Sequence, residues 1–225
     1  MTTRRSATAA TAAFTLSGIL FFLYPALRPW TDETTLDGAE AMASTSWVAA
    51  HTAGILGFIL LIAAMAALAF LAPVAARRPA FLAAISTWLG ASLVLPYYGV
   101  EAFGAQVIGG RAVEDGDATM LTMVEDFRYG PVAVTMFTFG LLLLAVAGIA
   151  VAFALWNQGT LARTAGLLLA TGLVLYLPQF FGTPAMRIVH GLMLGLGCLA
   201  LAAFTWRSRI PAAETSSAGR VVRAA

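Results

Sequence analysis

The chain has 225 residues, 60% hydrophobic and 11% charged, with a mean hydropathy of +0.85. These values lie outside the soluble globular range, and at this length a membrane bundle leaves no room for a sizeable soluble domain. A net charge of only +2, with no interleaving of basic and aromatic residues, gives no support to a nucleic-acid partner.

The first eleven residues carry Arg4 and Arg5, and an apolar run from Ala12 to Leu27 follows. That run ends in Pro25-Ala26-Leu27-Arg28 without a small-x-small cleavage pattern, so it reads as a retained first span rather than a signal peptide. The connection from Arg28 to Trp47 contains Asp32, Glu33, Asp37 and Glu40. Asp37 with Glu40 three residues on has the form of a helix N-cap, which would start the second helix at Gly38, ahead of its span over residues 47–72. Pro73 ends that span, Arg77 and Arg78 occupy a short turn, and a third span covers residues 80–103. In the long connection to Tyr129, Met120, Leu121, Val124 and Phe127 recur at helical spacing. They predict a short amphipathic helix over residues 117–128 that lies on the membrane surface or caps the bundle. Spans over 130–156, 164–181 and 185–206 complete the set.

The expected fold is therefore all-α, a single polytopic domain of six transmembrane helices over residues 1–206 with a short extracytoplasmic amphipathic helix. A Ser-, Ala- and Arg-rich tail, 207–225, reads as disordered and cytoplasmic. Basic residues resist translocation, and that fixes the expected orientation. With both termini inside, nine of the arginines and one acid are cytoplasmic, whereas Arg28, Arg111, Arg128 and Arg187 and ten acids lie outside. The absence of lysine beside abundant Ala, Gly and Arg suggests a high-GC genome, hence a bacterial cytoplasmic membrane. The lipid bilayer is the expected partner, with a protein partner or a second copy left open.

Glycine and proline stand six apart in both Gly90 to Pro96 and Gly172 to Pro178, a weak internal repeat assembled from residues that are common in any span. Pro96 and Pro178 each remove a backbone donor near the outer end of a helix, so a kink is expected at both.

The spans hold no charged residue between the interfaces, which disfavours a proton relay or ion-coupled carrier and leaves a small neutral-solute transporter as an alternative. The polar groups gather instead at the outer side. His51 and His190 lie at matched depth, roughly 5 to 8 Å beneath the outer interface, and Glu101 enters from the third helix. Tyr97, Tyr98, Gln179, Arg187, Glu125, Asp126 and Arg128 are candidates for a rim. An aromatic belt with a surface ion pair accounts for the same residues without any function.

Three chemistries are open to the cluster. His51 and His190 suit the two axial ligands of one haem b, with Gly54, Gly191, Gly195 and Gly197 admitting a flat macrocycle, although the same small residues serve ordinary helix packing. His51, His190 and Glu101 make a two-histidine, one-carboxylate set for a single Zn or Fe ion. Without either, the pocket would bind a small organic ligand, a lipid headgroup or a partner protein. The lone Cys198 excludes an intrachain disulfide, and no nucleophile triad, phosphate loop or HExxH occurs. The sequence names no reaction.

Overall fold

The computed structural model describes residues 2–208, with side chains from residue 5 onward. The expected tail lies outside the described residues except for Arg207, which closes a helix, and Ser208. The described residues are all-helical, in the order α1 (Thr2–Leu27), α2 (Leu36–Ala43), α3 (Thr45–Leu71), α4 (Arg77–Gly99), α5 (Ala105–Asp115), α6 (Thr122–Tyr129), α7 (Pro131–Leu155), α8 (Thr160–Val174) and α9 (Pro184–Arg207).

Five helical stretches are long and apolar enough to cross a membrane: Arg5–Leu27, Thr45–Leu71, Val74–Asp115, Pro131–Leu155 and Pro184–Arg207. With 15 residues, α8 is shorter than these. At ~1.5 Å per residue it falls short of a hydrocarbon layer of about 30 Å.

Six helices close into a ring, because α1 packs on α3 and α9, α3 on α4, α4 on α7, α7 on α8, and α8 on α9. Backbones touch where glycines meet. A Cβ on Gly90 would sit 2.7 Å from the Gly140 carbonyl oxygen, and one on Gly18 would sit 2.7 Å from that of Gly195. Small residues at such crossings replace hydrophobic driving force with close van der Waals contact. The ring is filled by Phe14, Phe21, Phe58, Tyr98, Leu141, Leu144, Leu169, Tyr176 and Leu194.

The acid-rich end of the ring carries a second, smaller core. Ala39 and Met42 of α2 and Trp47 of α3 meet Ala105, Ala112, Leu121 and Val124, with Met120 and Phe127 partly buried against them. The four apolar residues read at helical spacing thus lie on one packed face, spread over a 3₁₀ turn at Ala118–Leu121 and α6. This cap holds the connections 28–44 and 116–130 against the bundle.

Several local expectations are corrected. Thr35, not Asp37, caps α2, its side chain accepting from the Gly38 N–H. The second helix does not run on from there, because Ser44 breaks the chain and caps α3 by accepting from Trp47 N–H. The third helix extends past Phe103: Pro96 lies within α4, a π-turn follows at Val100–Gly104, and α5 continues to Asp115. Pro178 kinks no helix. It opens a 3₁₀ turn at Pro178–Phe181 after α8 has ended, because its ring nitrogen has no hydrogen to offer the carbonyl four residues back.

Candidate functional site

A cavity of about 450 Å³ opens at the acid-rich end of the ring. Each wall comes from a different element. The last turn of α1 and the connection after it supply Tyr24, Arg28 and Glu33, α3 supplies His51, and α4 with its π-turn supplies Tyr97, Tyr98 and Glu101. Arg128 and Tyr129 come from α6, Phe137 and Thr138 from α7, Phe180 from the 3₁₀ turn, and Arg187 from α9. The π-turn holds Glu101 and Ala102 buried, and such a turn is a common way to re-aim one side chain inside a long helix.

Four charged groups alternate along one side of the cavity. Arg128 grips the Glu101 carboxylate with two donors, Nε to Oε1 at 2.5 Å and Nη2 to Oε2 at 2.7 Å. Its Nη1 donates to Glu33 Oε2 at 2.5 Å, and Glu33 Oε1 accepts from Arg28 at 2.5 Å. Arg28 in turn lies over the rings of Trp30 and Trp47, at 4.4 and 4.5 Å. The Trp47 indole N–H donates to the Glu101 backbone carbonyl at 2.6 Å, which ties the start of α3 to the π-turn. A two-pronged, largely buried pair of this kind is expensive to break, since removing one partner strands the other charge.

Burial pushes the Glu33 carboxyl up, but Arg28 and Arg128 outweigh it and hold the group below its ordinary value of 4.5. Burial likewise disfavours the charged form of Arg128, and Glu101 and Glu33 more than reverse that, so this guanidinium stays charged more firmly than a free one. Arg187 differs from the other two arginines. It donates to the backbone carbonyls of Gly182 and Phe180 and lies near the rings of Trp30 and Phe180, and among the described residues no carboxylate is within ion-pair distance of it.

The two histidines are both buried, in separate environments. His51 is 2% exposed and packs against Trp47, Tyr24 and Tyr98. Its Nδ1 lies 2.9 Å from the Trp47 carbonyl oxygen. A carbonyl only accepts, so Nδ1 carries the hydrogen and, in the neutral ring, Nε2 is left as an acceptor, in a residue that lines the cavity. His190 uses its Nε2 against the Gly172 carbonyl at 2.8 Å and sits edge-on to Tyr176. Between the two histidines stand Tyr24, Tyr98 and Tyr176, the last two joined hydroxyl to hydroxyl at 2.8 Å.

That arrangement does not fit a bis-histidine haem. The glycines that would have admitted a macrocycle are filled by protein: a Cβ on Gly54 would meet the Tyr98 ring at 2.6 Å, Gly191 lies against Pro25, Gly195 against Gly18, and Gly197 against Leu169. Nor does it fit the two-histidine, one-carboxylate ion site. Among the described residues no three His, Cys, Asp or Glu side chains are grouped to hold a metal, and both Glu101 oxygens are taken by Arg128.

Of the residues singled out in the sequence, His51, Glu101, Tyr97, Tyr98, Arg128 and Arg187 share the cavity. His190 and Gln179 line a neighbouring pocket of only about 10 Å³, with Tyr176 and Arg187. Glu125 and Asp126 are exposed on α6 and line neither. Sequence reasoning missed Tyr24, Arg28, Glu33, Phe137 and Phe180 as lining residues. One signal was present: of the four arginines that break the basic-inside pattern, Arg28, Arg128 and Arg187 all converge here.

No protein-family model, curated protein or solved structure matches this chain, so what the cavity does is argued from its own geometry.

Proposed function

We propose that this is a six-span protein of a bacterial cytoplasmic membrane, with both termini cytoplasmic, whose outward-opening cavity reversibly binds a small organic ligand. The sixth crossing in this reading is α8, extended by residues 175–177 and the 3₁₀ turn at Pro178–Phe181, in a locally thinned bilayer. The charge asymmetry of the connections supports the orientation, and α2, the 3₁₀ turn and α6 form the extracytoplasmic cap.

One observation carries the binding role. The cavity has the size of a small-molecule site, and it combines aromatic walls with a cation that has no carboxylate partner among the described residues and a buried imidazole acceptor. An interfacial aromatic belt with a surface ion pair would need no such volume. Binding or sensing fits better than redox chemistry because the residues fit neither haem nor a metal ion. It fits better than transport because tyrosines and phenylalanines close the ring beneath the cavity.

Native mass spectrometry of the full chain in mild detergent tests this. A retained species below lipid-bilayer complexity, lost when the cavity is filled by Thr138→Trp, is the expected result. A Soret band or stoichiometric zinc or iron in the same preparation, or an adduct indifferent to Thr138→Trp, would overturn it.

A further inference from the structure

The cavity is unbalanced in charge, and the imbalance describes its ligand. Its charged lining consists of Arg28, Arg128 and Arg187 against Glu33 and Glu101. Both carboxylates are used by Arg28 and Arg128. The carbonyls of Phe180 and Gly182 orient Arg187 without cancelling its charge, and they occupy two of its five N–H groups. Among the described residues one cation is thus left without a counter-charge, in an aromatic-walled recess. Tyr97 stacks on Phe137 with ring centroids 4.2 Å apart, and Phe137 meets Phe180 edge-on at 5.4 Å, which makes one wall aromatic. The second independent feature is His51, 2% exposed, lining the cavity and with no hydrogen-bond partner for Nε2 among the described residues.

We propose that the cavity selects a monoanionic amphipath: a carboxylate or phosphate on Arg187, an apolar body against Tyr97, Phe137 and Phe180, and a hydroxyl donor to His51 Nε2. This rests on the reading of the cavity as a ligand site and adds the ligand's class. A guanidinium held by two carbonyls presents its remaining donors in a fixed fork, the geometry that recognises a planar or tetrahedral acid group. The acid is either the phosphate of an anionic lipid or the carboxylate of a free small molecule, since both offer a pair of oxygens sharing one negative charge.

The test uses the full chain in detergent with 2-naphthoate, 2-naphthamide and 6-hydroxy-2-naphthoate as probes, read by calorimetry. The acid is expected to bind about ten-fold tighter than the amide, as loss of a charge-assisted contact implies. Arg187→Gln is expected to erase that preference and Arg187→Lys to keep part of it. The hydroxy acid gains affinity over the plain acid, and His51→Phe removes the gain. Because Arg187→Gln also loosens the 3₁₀ turn, the comparison of acid with amide on the unaltered protein decides the matter alone. Equal binding of acid and amide would overturn the anion assignment and leave the cavity reading standing. If no probe binds at millimolar concentration, both fail. Reconstitution into phosphatidylglycerol or phosphatidylcholine nanodiscs separates the sources. Retained phosphatidylglycerol displaced by naphthoate assigns the anion to lipid, and naphthoate binding with no retained phosphatidylglycerol assigns it to a free acid.

Discussion

Arg128 joins two carboxylates that come from different parts of the chain, so the cap depends on it more than on any apolar contact of similar size. Its side chain is 14% exposed and that of Glu101 7%. Arg128→Gln is expected to cost about 3 to 5 kcal/mol, because it leaves Glu101 buried and unpaired. The double variant Glu101→Gln with Arg128→Gln recovers part of that loss, and thermal unfolding in detergent reads both. A double variant whose loss equals the sum of the losses of Arg128→Gln and Glu101→Gln measured singly would mean that the pair is not coupled. Glu33 supplies a pH dependence. Its carboxyl is held below its ordinary value of 4.5, so the stability it contributes is complete above that value. It drains away as pH falls through the lower folded value. The melting temperature should therefore drop on acidification below pH 4.5, with a shallower slope in Glu33→Gln. Identical slopes in the two proteins would show that Glu33 is not held down by Arg28 and Arg128.

The helices meet through glycine, and substitution separates contact from propensity. Gly140→Leu is expected to force α4 and α7 apart and destabilise by about 1 to 3 kcal/mol, the usual cost of overpacking. Gly99→Ala has nothing within 4 Å of the new Cβ. It should be neutral or raise stability by up to about 1 kcal/mol through helix propensity. Equal effects of the two in a thermal melt would contradict the crossing at Gly90 and Gly140. At this scale much was legible in the sequence. Apolar runs gave the long helices, and the spacing of Met120, Leu121, Val124 and Phe127 marked a packed face. The breaks were less so. Ser44 and Thr35 are ordinary hydroxyl residues until the chain direction makes them caps, and the π-turn at Val100–Gly104 follows from how Glu101 and Ala102 bury, which no local pattern encodes. Pro178 announced a stop, but where α8 ends depends on its packing against α7 and α9. The site was half legible for a related reason. Matched depth placed His51 and His190 on one level, but depth says nothing about rotation around each helix axis. Three tyrosines separate the two rings.

Over the whole molecule, ten of the 11 acids lie at one end, and Arg77, Arg78, Arg163 and Arg207 lie at the other. In a Cys198→Ala background, a cysteine at Asp115 should react with an impermeant thiol reagent in intact cells, and one at Arg77 only after permeabilisation. The reverse pattern would invert the orientation. On the proposed reading the cavity is a ligand-accessible recess that opens outward, and Thr138 lies in its wall. The most direct measurement is the rate at which Thr138→Cys, in the Cys198→Ala background, is modified by a charged thiosulfonate added to intact cells. Prompt modification from outside, slowed by 2-naphthoate, is expected. Modification only after permeabilisation, or none in a folded protein, would contradict it.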